Sequence, residues 1–425
     1  MSMCSYPQAR LKSQFQELIF GKICAIFLRM QKIHFIGIGG IGISNIAFIY
    51  LEKGCQVSGS DLKESEITKA LQKKGAKIFI GHKAINLKKP DLVIYSEAIP
   101  ANNPELQKAK KLSLECLSGS QAISRLSKGY FIIAVAGMHG KTTTASMIAQ
   151  ILIKAGFDPS FIIGKKDGWR CGKSKYLIIE ADEYKDKFLN YYPDIAVITN
   201  IEAEHMDYFK NLENIKKSFC KFASQSKKVI KHKKHNLKLQ IPGKHNLYNA
   251  CLAFEAAKAL NIKDSVIKKA LLEYKGSWRR FEIRGRYNQA IIIDDYAHHP
   301  TEIQATLQAA REKYPKKQII AVFQPHQYQR LNLLFNDFAK SFSQADQVIV
   351  TDVYSVAGRD SVRNGFKPFL TSQDLAKAIK NAQYIKFNKL SGFIKKISRA
   401  NQVILMLGAG DIIQISDKLN PVKPI

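Results

Sequence analysis

The feature that most limits the folds open to this chain is a pair of glycine-rich turns, each set between a short apolar run and a helical stretch. In the stronger of the two, Phe131-Ile132-Ile133-Ala134-Val135-Ala136 leads into Gly137-Met138-His139-Gly140-Lys141-Thr142-Thr143-Thr144. A buried strand, a tight turn and a helix start in that order form a phosphate cradle. Backbone N–H groups hold the phosphates, Lys141 reaches the β/γ-phosphates, and Thr142 offers its hydroxyl to Mg²⁺. Val135 stands where the general G-x-x-x-x-G-K-[ST] pattern has its first glycine. The weaker turn, Gly37-Ile38-Gly39-Gly40-Ile41-Gly42, follows Ile33-His34-Phe35-Ile36 and fits G-x-G-x-x-G. Its glycines let the backbone approach a diphosphate at a helix N-terminus, and Asp61, after the next strand, is placed to meet a ribose hydroxyl. That pattern indicates a nucleotide diphosphate without saying which.

Both turns belong to a chain of alternating apolar runs and helical stretches, the pattern of βαβ units with mainly parallel sheets. Strands are expected at 33–37, 55–59, 91–95, 131–136, 176–180, 195–199, 290–294, 318–323, 347–351 and 402–407. Breaks near Ser127-Lys128-Gly129 and Gly276-Ser277-Trp278 divide the chain into 1–30, 31–127, 128–278 and 279–425. At about 150 residues per domain, the length fits three domains. Residues 1–30 read as an N-terminal extension, because the apolar patch Ile23 to Leu28 is short for a signal-peptide core.

Composition matters here through charge. Lys+Arg number 66 against 35 Asp+Glu, a net +31, which invites a nucleic-acid or anionic-membrane reading. The same charge suits an enzyme of phosphorylated substrates, and the most basic run, Lys227 to Lys238, reads as a solvated hairpin or loop. No apolar run nears the roughly 18 residues of a spanning helix. Seven cysteines are scattered singly with no C-x-x-C pair, which favours free thiols in a reducing cytosol. The expectation is a cytoplasmic protein with no integral membrane segment and no specific nucleic-acid partner.

Further chemistry lies at later strand ends, which in an open parallel sheet face one crevice. Glu180-Ala181-Asp182-Glu183 and Asn200-Ile201-Glu202-Ala203-Glu204-His205 place carboxylates beside a phosphate cradle, where a cation such as Mg²⁺ is needed. Glu180 is the better ligand on chemistry. His205 reads equally as a ligand or as a buried supporting histidine, since Mg²⁺ prefers oxygen. Asp294-Asp295-Tyr296-Ala297-His298-His299-Pro300 and Phe323-Gln324-Pro325-His326-Gln327-Tyr328-Gln329-Arg330 end two more strands. Without a cysteine or a carboxylate at ligand spacing, substrate binding is favoured there over metal binding.

As a set, G-I-G-G-I-G after H-F, G-x-H-G-K-T-T-T, E-A-D-E, N-I-E-A-x-H-M-D, P-G-x-H-N-x-x-N, R-R-F, D-D-Y-x-H-H-P-T-E and F-Q-P-H resemble the Mur ligase family, in family order from His34 to about Gly410. The resemblance implies an α/β chain of three domains: a Rossmann-like N-terminal domain, a central P-loop ATPase domain and a Rossmann-like C-terminal domain. It implies ATP-dependent joining of L-alanine to the carboxylate of UDP-N-acetylmuramate through an acyl phosphate, in peptidoglycan synthesis. A monomer or weak dimer acting on small-molecule substrates is expected. Carried over residue by residue, the UDP-sugar falls to Gly37, Gly39, Gly40 and Gly42 with Ser60, Asp61 and Ser96. ATP falls to Gly137, Met138, His139, Gly140, Lys141, Thr142 and Thr143, with His245, Asn246 and Asn249 at the adenine, Arg280 near the phosphates and Asp294 or Asp295 at the ribose. Mg²⁺ falls to Thr142, Glu180 and His205, and the amino acid to Tyr296, His298, His326 and Arg330. Lys141, Glu180, His205, His326 and Arg330 are the expected catalytic set.

Four departures from the family pattern stand out. Met138 replaces the threonine commonest in the phosphate turn, Glu204 the usual aspartate before His205, and Gln327 an arginine found in many relatives; the link from Phe222 to Ile241 is shortened. Rival readings are a ligase that adds a preformed peptide to the same nucleotide sugar, and a catalytically decayed basic binding protein. The second would be expected to have lost some of Lys141, Glu180, His205 and His326, all of which are intact.

Overall fold

The computed structural model describes residues 31–355 and 369–419. The N-terminal extension expected over 1–30 lies outside the described residues. The first sheet is parallel throughout, built from β1 (Lys32–Ile36), β2 (Gln56–Asp61), β3 (Lys77–Ile80), β4 (Leu92–Tyr95) and β5 (Cys116–Ser118) in the order β3-β2-β1-β4-β5. Ile33, Phe35 and Ile36 of β1 are fully buried, as expected of a central strand covered on both faces. Strand order reverses between β1 and β4, so the crevice opens where Gly37 and Ser96 follow those strands.

The second sheet contains β6 (Phe131–Ala136), β7 (Ser160–Ile162), β8 (Trp169–Arg170), β9 (Tyr176–Glu180), β10 (Ile195–Ile198) and β11 (Lys228–Ile230), in the order β11-β10-β6-β9-β7-β8. The third contains β12 (Glu282–Tyr287), β13 (Ala290–Asp295), β14 (Gln318–Phe323), β15 (Gln347–Val350), β16 (Ala382–Tyr384) and β17 (Gln402–Leu407), in the order β12-β13-β17-β14-β15-β16. Its first pair is an antiparallel hairpin whose turn residues, Asn288 and Gln289, have φ of 46° and 63°. Two positive φ angles in a two-residue loop match the right-handed twist of the strands it joins. Period-two alternation then divides the core: Ile291 and Ile293 of β13 with Val403, Leu405 and Leu407 of β17 pack on one face, and Ala290, Ile292, Ile404 and Met406 on the other.

All ten expected strands form. The basic run expected as a hairpin or loop opens with β11, paired in parallel with β10 rather than in a hairpin, and is a loop without regular structure over 231–239. Two compact units emerge. Among the described residues, one takes 31–134 with Asp158–Asp194 and Ser218–Lys227; the other takes Val135–Phe157, Ile195–Lys217 and 228–355 with 369–419. In the first, Phe48 stacks on Trp169 at 5.0 Å and Asn45 donates to the carbonyls of Ile163 and Lys165. In the second, helix Lys141–Lys154 packs on helices Lys244–Lys258 and Asp264–Leu272, and Gln150 donates to the Ala270 carbonyl at 2.6 Å. Among the described residues, no helix is long and apolar enough to cross a membrane.

Candidate active site

The phosphate turn is held by two residues that follow β10. Thr199 donates its hydroxyl to the Ala136 and His139 carbonyls, and Asn200 accepts from the His139 N–H at 2.9 Å while donating to its carbonyl at 3.3 Å. Gly137 and Gly140 sit at φ of 133° and 81°. A Cβ on Gly140 would stand 2.5 Å from Asn249 Oδ1, so the absent side chain is what lets the expected adenine motif meet the turn. Helix Lys141–Lys154 starts at Gly140 without a side-chain cap, whereas helices Glu66–Lys73 and Gly119–Leu126 are closed by Ser65 and Ser118 capping boxes. Backbone N–H groups at a helix start point toward a position that suits an anion. Lys141 folds back onto the Gly137 and Met138 carbonyls, and Met138 itself is buried, its side chain packed inside and its backbone left to the turn. Thr142 and Thr143 are buried beside it, as are Asn246 and Asn249, while His245 is exposed.

The strand ends of the last third join this turn. Glu302, in the first turn of helix Pro300–Lys313, lies 3.2 Å from His139 Nδ1, 3.1 Å from His298 Nδ1 and 3.9 Å from Arg280. Burial works against its charge, but the His298 and His139 imidazoles outweigh that and hold its carboxyl well below the usual range. Burial likewise lowers the basicity of His139, yet Glu302 and Glu202 prevail and push it up to about 10. The Arg280 guanidinium stacks over the Tyr296 ring at 5.0 Å and that of Arg279 at 5.3 Å, so Tyr296 is a platform for cations. Arg330 reaches the buried Glu204 at 3.2 Å and His326 Nδ1 at 3.4 Å; the His326 ring stacks on Tyr354 and stands 5.8 Å from that of His298. Glu204 therefore directs its longer arm to Arg330. Gln327 is buried, at φ of 69°.

The aspartates expected at a ribose have other partners. Asp295 accepts from the Phe281 and Ala297 N–H groups, both at 2.8 Å, and Asp294 accepts from Ser416 and lies 3.4 Å from Arg284. Burial pushes the Asp294 carboxyl up to about 7, against the Ser416 hydrogen bond and the Arg279 and Arg284 charges. Both carboxylates are buried, and Asp294 Oδ2 makes no hydrogen bond there, which is costly for an ionised group.

In the other unit, the diphosphate turn is closed by hydrogen bonds from Gly37 and Ile38 N–H to the Ser60 carbonyl. Gly37 adopts φ of 80°, and Ser96 stands beside it. Asp61 accepts from Gly39 N–H at 2.8 Å and from Leu62 N–H at 2.8 Å, so it braces the turn. The Ser60 hydroxyl points away from the turn, into a buried group where it donates to Glu105 at 2.5 Å and meets His82 at 2.9 Å. Gly40 caps helix Ile41–Glu52, and a Cβ on Gly42 would meet nothing within 4 Å. Glu180 accepts from the Gly164 N–H at 2.8 Å.

Family models match along the chain: the Mur ligase family catalytic domain over residues 32–131, the Mur ligase middle domain over 135–230, and the glutamate ligase domain of Mur ligases over 279–410. A UDP-N-acetylmuramate--L-alanine ligase of Caldanaerobacter subterraneus subsp. tengcongensis is 39% identical over 92% of the chain and 97% of its own length. The chain belongs to the Mur ligase family. A Sulfurihydrogenibium enzyme of the same name is also 39% identical over 92% of this Mur ligase. The crystal structure of the Thermotoga maritima UDP-N-acetylmuramate-alanine ligase superimposes with a TM-score of 0.78 at 30% identity, covering 92% of the chain and 98% of its own. A murein peptide ligase of Psychrobacter arcticus shares the fold, at a TM-score of 0.67 and 22% identity over 93% of the chain and 100% of its own. The three-domain α/β architecture is thus that of a Mur ligase.

Residues to which the sequence reading assigned no role, within the motifs or beside them, carry much of this geometry. Thr199 and Asn200 hold the phosphate turn, Arg279 donates to the Gly408 and Gly410 carbonyls, and Glu302 gathers the His139, His298 and Arg280 side chains. Glu302 reads in sequence as an ordinary acid at a helix start. Only its neighbours in space distinguish it.

Proposed function

We propose that this Mur ligase joins L-alanine to the carboxylate of UDP-N-acetylmuramate at the expense of ATP. The observation that carries the reading is the likeness along nearly the whole chain to ligases of that name, in a chain whose phosphate turn and acid-facing strand ends are both built. A carboxylate is a poor electrophile. Its oxygen attacks the γ-phosphorus, the bond to ADP breaks, and an acyl phosphate forms. Lys141 and Arg280 neutralise charge on the phosphates, as the N–H groups at Gly140 and beyond orient them. The neutral amine of alanine then attacks the acyl carbon, and phosphate leaves. Arg330 with His326 receives the alanine carboxylate, and His298 faces the amine. Gly37, Gly39 and Gly40 hold the UDP diphosphate, with Asp61 and Ser60 bracing them from behind.

Mg²⁺ suits the donor chemistry of Thr142 and Glu180, which supply a hydroxyl and a carboxylate oxygen, with His205 as a third residue; among the described residues no group of three or more His, Cys, Asp or Glu forms a metal cage, and Mg²⁺ bound to phosphate keeps several waters rather than filling one. When bound, it supplies charge neutralisation at the phosphate oxygens. The domains run over 31–127 for the UDP-sugar, 128–278 for ATP and 279–425 for ligation, and the enzyme works in the cytoplasm as a monomer or weak dimer.

Purified protein incubated with ATP, Mg²⁺, UDP-N-acetylmuramate and single amino acids tests the reading by phosphate release. Release with L-alanine, abolished in Lys141→Ala, is expected. Release with no amino acid would overturn it, and release only with a tripeptide would point to the peptide-adding ligase.

A further inference from the structure

The motif D-D-Y-x-H-H-P-T-E ends on a residue to which neither sequence nor reaction gave a task. Glu302 is fixed by a helix that begins at Pro300 with His299 as its cap, and its side chain is only 13% exposed. Its two oxygens face different partners. Oε1 faces His139 Nδ1 at 3.2 Å and Arg280 at 3.9 Å, both on the phosphate side. Oε2 accepts from the His298 backbone N–H at 3.0 Å and faces His298 Nδ1 at 3.1 Å, on the amino-acid side. His298 Nδ1 also lies 3.0 Å from the Tyr296 carbonyl. A carboxylate and a carbonyl only accept, so Nδ1 carries the hydrogen and the ring's other nitrogen is left for the incoming amino acid.

We propose that Glu302 is a positioning residue that couples the ATP side of the site to the amino-acid side, one carboxylate oxygen holding each. The proposal rests on the assignment of those two sides given above. Glutamine has nearly the same shape but replaces one oxygen with a donor, so whichever way the amide turns it confronts a donor pair and one side is released. Aspartate keeps an acceptor-only group on a shorter arm.

The test begins with wild-type turnover, which judges the ligase reading alone. In an active enzyme, Glu302→Gln should lower kcat/KM for both ATP and L-alanine by about tenfold or more, with an unchanged melting temperature, and Glu302→Asp should recover part of both losses. A loss confined to one substrate, or equal loss in the aspartate variant, would overturn the coupling. Calorimetry with ADP provides a second arm that needs no turnover and no folded Glu302 variant other than aspartate. His298→Asn lies on the amino-acid side, yet it should weaken ADP binding severalfold, and the effect should shrink in a Glu302→Asp background. Unaltered ADP affinity in His298→Asn, or the same loss in both backgrounds, would overturn the proposal whatever the enzyme's substrate proves to be.

Discussion

At Gly140 two independent constraints meet. A φ of 81° disfavours any side chain, and a Cβ would press on Asn249 Oδ1 at 2.5 Å. Gly140→Ala should therefore cost about 1–2 kcal/mol for the left-handed backbone alone, seen in urea unfolding, and should weaken ADP binding in calorimetry as Asn249 is displaced. Asp294 is a different case, since its folded carboxyl is raised to about 7 from an ordinary value of 3.8. The folded protein thus holds a proton that the unfolded chain releases, so this group contributes stability below about pH 4 that is lost as pH rises through about 7. Asp294→Asn imitates the protonated form. Its stability relative to wild type should grow between pH 4 and 7, read from melting temperatures across that range. A constant difference across those pH values would contradict the assignment.

Among the elements, legibility follows position in the sheet. The ten strands expected from the sequence are apolar runs, and they include every interior strand except β7. The seven not anticipated are β3, β5, β7, β8, β11, β12 and β16, which take in all six sheet edges. An edge strand is short and half-wet, so it carries charge where a central strand carries isoleucine, as Lys77–Ile80 and Glu282–Tyr287 do. Their pairing comes from backbone hydrogen bonds that any residue but proline supplies, and hydropathy does not record it. Packing loss should follow the same gradient. Ile404→Ala, in the fully buried β17, should destabilise by about 2–5 kcal/mol in denaturant unfolding, whereas Gln383→Ala in the edge strand β16 should stay within about 0.5 kcal/mol.

For the whole molecule, the charge of +31 sets an expectation about rate rather than fold. Both proposed nucleotide substrates are anions, so kcat/KM for UDP-N-acetylmuramate should fall as salt rises from 0.05 toward about 0.5 M while kcat holds, because screening acts on encounter. An equal fall in kcat would place the effect inside the site. Fold class, the sites of the two glycine turns and the family itself were determined by sequence, since local hydrophobic period and a turn's need for glycine act over a few neighbouring residues. What each polar side chain does was decided only by the tertiary structure. Asp61, Ser60, Asp294 and Asp295 carry the residue types of ligand contacts and each bonds a neighbour within the protein, while Glu302, the last residue of its motif and given no task there, gathers His139, Arg280 and His298. Hydrogen bonds reach about 3 Å. Sequence separation says nothing about which groups fall within that reach once the strand ends are brought together.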